Sequence, residues 1–101
     1  MVILAASMKI KEEFMTPFRR AAYAMLPISR AEPECVHYHF YIDPHDDNGY
    51  LWFEKWASRE ALEAHFQTSH FKSFMEIIEN MLREPTVVET FDVVLPGAPT
   101  A

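Results

Sequence analysis

Apolar residues along this 101-residue chain change period several times, and each change marks an element. Val2–Ile10 combines β-branched and small apolar residues, leads into Met8 and Ile10, and predicts a strand. Ile10, Phe14, Phe18, Ala21, Met25 and Ile28 then recur at spacings of three and four, the stripe of an amphipathic helix. Pro17 lies inside that stripe. Because Phe14 already fits it, the helix is predicted to start near Lys11 and bend, rather than to start at Thr16 with Pro17 as its first residue. Pro27 and Pro33 bracket its predicted end. Cys35–Ile42 alternates as a strand, Asp43–Gly49 is a polar turn rich in breakers, and Tyr50–Trp56 returns, a β-hairpin with a longer loop. Ser58 caps a short helix with Glu60 in its first turn. Gln67–Thr68–Ser69 interrupts it, and Thr68 or Ser69 caps a second helix striped by Phe71, Phe74, Met75, Ile78, Met81 and Leu82. Glu84–Pro85 ends that helix, and Thr86–Leu95 is the last predicted strand.

The order β-α-β-β-α-β is that of an α+β, ferredoxin-like fold: a four-stranded antiparallel sheet with helices on one face. Residues 2–95 form one domain and 96–101 a loose tail. Pairing Ile42 with Tyr50 sorts the hairpin into two faces, since side chains alternate along a strand. Face one carries Val36, Tyr38, Phe40, Trp52, Glu54 and Trp56; face two carries Cys35, His37, His39, Tyr41, Leu51, Phe53 and Lys55. Glu54, between two tryptophans and opposite a tyrosine, is the odd residue of face one. A carboxylate on an apolar face is paired, hydrogen-bonded or shifted in pKa. It is therefore either an edge residue bonded to Tyr38 or a helix end, or a base or orienting group in a pocket between sheet and helices. Face two is also mostly apolar and suits contact with a second copy better than open water. His37 and His39 point the same way, but no third ligand for a metal accompanies them, and interface histidines are the simpler reading.

Composition narrows the options. Half the residues are hydrophobic and 14% aromatic, too apolar for a disordered chain. The net charge of −6 and the lack of a basic stripe argue against a nucleic-acid partner. The longest apolar run, Val2–Ala6, neither spans a membrane nor makes a signal peptide, so the expected compartment is the cytoplasm. Cys35 is the only cysteine, which excludes an intramolecular disulfide, and it reads as a plain buried thiol.

The stretch FEKWASREALEAHFQTSHFKSF (Phe53–Phe74), above all Glu54, Trp56, Ser58, Glu60, Ala61, Leu62, His65, His70 and Phe71, resembles the antibiotic-biosynthesis-monooxygenase (ABM) family. ISRAEPECVHYHFY (Ile28–Tyr41) resembles the family's join between first helix and second strand, and the likeness covers about Val2 to Leu95. The resemblance implies a homodimer whose sheets pack into an α+β barrel, each protomer with its own pocket. In the quinol-monooxygenase-like branch it implies oxygenation of quinols or phenols by dioxygen without metal, flavin or haem. The candidates to accept or donate a proton are then Glu54, His65, His70 and Tyr38, and those to hold an aromatic substrate are Trp52, Trp56, Phe40 and Phe74.

Departures temper this. Glu34 stands where the joining segment often carries glycine, so that turn is expected to differ. The first strand lacks the asparagine, and Phe74–Met75 lacks the histidine, of the haem-degrading branch. Trp52 stands where some polyketide-oxidising members carry asparagine. Two rival functions remain: isomerisation of a small phosphorylated signalling metabolite, which needs a cation from among Lys55, Arg59 and Lys72, and a non-catalytic binding or stress-response module.

Overall fold

The computed structural model describes residues 1–94 and 96. Its elements are β1 (Val2–Lys9), α1 (Met15–Arg30), β2 (Cys35–Asp43), β3 (Asp46–Trp56), α2 (Arg59–Phe66), α3 (Ser69–Ile78) and β4 (Val87–Asp92). The strands pair antiparallel in the order β2-β3-β1-β4. This is the α+β ferredoxin-like arrangement the sequence predicts, with its second helical unit split in two. Ser58 caps α2 by accepting from Ala61 N at 3.1 Å, and Thr68 caps α3 by accepting from Phe71 N at 3.2 Å. Along β1, Val2, Leu4, Ala6 and Met8 are buried under the helices while Ile3, Ala5, Ser7 and Lys9 face the other side half-buried. No helix among the described residues is long and apolar enough to cross a membrane.

Several expectations are corrected. The first helix does not run bent from Lys11: a 3-10 turn, Glu12–Phe14, precedes α1. Pro17 falls in the first turn of α1, where its missing N–H has no partner to lose. Ile10 leaves β1: it forms an isolated bridge to Leu82, and its N–H donates to Asn48 O at 2.9 Å. The end of α1 at Arg30 does fall between Pro27 and Pro33, as expected; Pro27 is exposed in the last turn and forfeits a single hydrogen bond there. The buried stripe is Phe18, Ala22, Met25 and Ser29, so Ile28 is 50% exposed instead of inward.

The hairpin is tighter than a seven-residue loop. Pro44 and His45 make the turn, and β3 begins at Asp46. An irregularity between Ile42 and Asp43 absorbs the extra residues, so Ile42 still opposes Tyr50, Phe40 opposes Trp52 and Tyr38 opposes Glu54. A second irregularity, between Cys35 and His37, overturns the placement of two residues. Val36 bulges outward, 52% exposed, instead of joining face one. Cys35 opposes Trp56 in its place and packs half-buried against the helix-side core. The turn before β2 also differs from expectation. Glu34 adopts φ 63°, the conformation that favours glycine, so the backbone follows the glycine geometry without the glycine. The last strand is Val87–Asp92, shorter than Thr86–Leu95; Leu95 and residues 97–101, most of the expected tail, lie outside the described residues.

Candidate active site

Inward-facing residues of β1, β2 and β3 meet α3 around a cavity of about 100 Å³. Tyr38, Trp52 and Glu54 form its sheet wall and Phe74 its helix wall, while Phe66, Phe71 and Met75 surround it and Thr86 and Val88 close the β4 side. Ala6 at the centre of β1 leaves the space that a larger side chain would fill. A larger open depression of about 310 Å³ lies at the hairpin end, where its charged groups, Lys9 and Asp43, are half-buried and pair with each other at 3.8 Å.

Glu54 is 5% exposed, and burial raises its pKa from 4.5 to about 7. Trp56 Nε1 donates to Glu54 Oε1 at 3.0 Å, which stabilises the anion and offsets part of the rise, while the charge of Glu32 adds to it. The two side chains share a face because they are two apart on β3. Tyr38, opposite Glu54, has its phenol pushed far upward by burial and then by the Glu54 charge, so it stays protonated as a donor. Trp52 Nε1 donates to Met8 Sδ at 3.2 Å, which fixes its indole against the cavity. Phe40 stacks on Trp52, Tyr50 and Tyr23, with ring centroids 5.1–6.0 Å apart.

His65 and His70 converge on a residue that the sequence did not single out. His65 Nδ1 and His70 Nε2 each lie 2.7 Å from Glu32 Oε2. The His65 ring is fully buried against Trp56, centroids 4.8 Å apart, and against Tyr38 at 5.5 Å. Burial lowers its pKa, and the Glu32 contact offsets this in part, so the imidazole is neutral at pH 7. Its Nε2 is buried without a hydrogen-bond partner.

The structure thus gathers Tyr38, Trp52, Glu54 and Phe74 on the cavity, whereas Phe40, Trp56, His65 and His70 stand behind it. Trp56 reaches the site through its bond to Glu54. Two residues escaped sequence reasoning. Glu32 sits in the turn after α1, far in sequence from both histidines, and no local pattern flags it. Thr86 lines the cavity with a buried hydroxyl that has no partner; it reads simply as the start of a strand. None of Lys55, Arg59 and Lys72 lines the cavity: Lys55 lies over Phe53, and Arg59 pairs with Asp92 at 3.2 Å.

Comparison with known proteins agrees with this architecture. The chain is 34% identical over 92 residues to the uncharacterized protein sll1783 of Synechocystis sp., covering 91% of this chain and 63% of that protein. It thus spans under two thirds of that relative's length. It is 29% identical over 85 residues to YcnE of Bacillus subtilis, a proposed monooxygenase, covering 84% of this chain and 90% of that one. A crystal structure of an antibiotic biosynthesis monooxygenase superposes with TM-score 0.89 at 27% identity, covering 94% of this chain and all of the other. Residues 1–77 match the family described as antibiotic biosynthesis monooxygenase, and to that family the chain belongs.

Proposed function

We propose that this chain is a cofactor-independent monooxygenase, oxidising a quinol or polycyclic phenol with dioxygen in the cavity between sheet and helices. Glu54 carries the proposal: a carboxyl group with a pKa of about 7, set in a cavity walled by aromatic rings. A phenolic hydroxyl has a pKa of about 10, so proton transfer to Glu54 is uphill by about 3 units instead of about 5.5 for an ordinary glutamate. Trp56 Nε1 holds the accepting carboxylate, and the un-ionised Tyr38 donates to the developing oxyanion. The resulting anion gives one electron to dioxygen, and the radical pair combines to form a carbon–oxygen bond. Where the attacked carbon is a methylene, the hydroperoxide then loses water. One oxygen atom stays as a carbonyl and the other leaves in water, so CH₂ + O₂ gives C=O + H₂O. The substrate supplies all the electrons, so the protein's tasks are binding, proton transfer and exclusion of water.

The cavity of about 100 Å³ seats at most one ring, since a pocket of about 150 Å³ takes benzene. Further rings lie at the rim beside Phe66, Phe71 and Met75, and the unpaired Thr86 hydroxyl offers them a polar contact. A second copy of the chain covers the outer sheet face, and residues 2–95 act as one cytoplasmic domain. The phosphorylated-metabolite alternative gains no support, because among the described residues no lysine or arginine lines the cavity. Oxygen uptake with menadiol, an anthrone and related quinols tests the proposal. A rate above the protein-free control that falls in Glu54→Gln supports it; no enhancement across the panel refutes it.

A further inference from the structure

Glu32, His65 and His70 present three donor atoms within 4.8 Å of one another, drawn from the α1–β2 turn, α2 and α3. We propose that these three residues form a binding site for one divalent transition-metal ion, of the zinc or cobalt kind, that clamps the α1–β2 turn to the α2–α3 break. Two imidazoles and one carboxylate suit such ions and leave coordination positions for water. Both ring nitrogens already point at one carboxylate oxygen, each at 2.7 Å, so the donors are aimed at a common point. With bonds of about 2.1 Å an ion joins donors up to about 4.2 Å apart, so the carboxylate gives way and the two rings close in, each by under about 1 Å, to admit it. The ion takes the place of the two ring protons. A neutral ring moves the proton that faced Glu32 to its opposite nitrogen, and a doubly protonated ring releases one to solvent. No lysine or arginine is paired with Glu32 among the described residues, so its charge is available to the ion.

Access comes from the surface: the His65 side chain is 1% exposed, but Glu32 and His70 are 11% and 20% exposed. The floor of the site is buried and its mouth partly exposed, which suits loading from solvent. None of the three donors lines the cavity and the ion takes no step in the proposed oxygenation, so metal binding is measured on its own.

The test uses chelator-stripped, re-dialysed protein. Co(II) is titrated by visible absorption, Zn(II) by calorimetry, and the zinc-loaded wild type is measured by X-ray absorption. The expected result is one ion per chain, a nitrogen and oxygen shell with two imidazoles, and a raised Tm. His70→Ala and Glu32→Gln, both at partly exposed positions, should each weaken binding at least about tenfold while keeping native circular dichroism. His39→Ala, on the outer sheet face, should bind as wild type. No stoichiometric binding at sub-millimolar ion overturns the proposal. So does a shell lacking two imidazoles, or binding that survives His70→Ala and is lost in His39→Ala.

Discussion

Glu54 keeps its proton up to about pH 7 because water cannot reach the charged form, and this sets the sign of its contribution to stability. Between pH 4.5 and about 7 the folded state binds more protons than the unfolded one, so stability falls as pH rises across that window. The whole effect is of order 3 kcal/mol for a shift of this size. Glu54→Gln removes it. Denaturant melts should show the variant more stable than wild type near about pH 8, with the difference shrinking to nothing toward pH 4.5. His65 acts in the opposite sense: its lowered pKa makes its contribution fade as pH drops below 6.5. Activity should rise with pH through about 7 and drop by at least about a hundredfold in Glu54→Gln, seen in kcat/KM profiles. Trp56→Phe deletes the donor to Glu54, so the midpoint of that profile should move upward. Glu54 was legible in the sequence because strand parity alone puts it on the tryptophan face. Glu32 was not, because its partners are brought to it by tertiary folding.

Elements were legible wherever a period ran long enough to be counted. β1, the hairpin pairing, both caps and the α2–α3 break follow from alternation and from Ser58 and Thr68. The bulge at Val36 was hidden, since one inserted residue leaves the alternation intact on either side and only exchanges the faces before it. Pro27 and Pro33 bracket the observed end of α1, because a proline in a last, exposed turn costs little and Pro33 lies just beyond Arg30. The turn at Glu34 yields a prediction. Its left-handed backbone costs about 1 kcal/mol or more, and its side chain makes only a long, exposed contact of 3.5 Å with Ser58. The backbone bond from Ala57 N to Glu34 O, 2.9 Å, survives substitution. Glu34→Gly should therefore raise Tm by about 2–4 °C, the relief of strain exceeding the entropy added to the unfolded chain. A drop in Tm by calorimetry would show that the strain is relieved elsewhere.

At the scale of the whole molecule, the sheet has one face under helices and one without cover. On the uncovered face Tyr41 is 51% exposed, Leu51 43%, Val87 59% and Phe91 50%, beside half-buried Ile3 and Phe53. An apolar surface of this extent suits a partner sheet. Light scattering should give twice the 11.8 kDa chain mass. Leu51→Glu, which buries a charge between copies, should give a monomer with unchanged circular dichroism. A wild-type monomer would remove the outer face from any role in assembly. This face was legible as apolar from the sequence, and so was its closing strand; only the bounds of that strand were not, because β4 is exposed along its length and lacks strict alternation.

The bulge at Val36 also makes the chain's sole thiol a clock. By turning Cys35 inward it sets the sulfur where burial, and the charges of Glu32 and Glu54, keep the thiol un-ionised and so a poor nucleophile. Alkylation is slowed by that protonation and by the partial cover, and quickens when the β2 edge opens. A rise in the rate at which a maleimide labels Cys35 would report loosening of that edge, and deleting Val36, which leaves Cys35 next to outward-facing His37 and so still opposite Trp56, should keep the rate low.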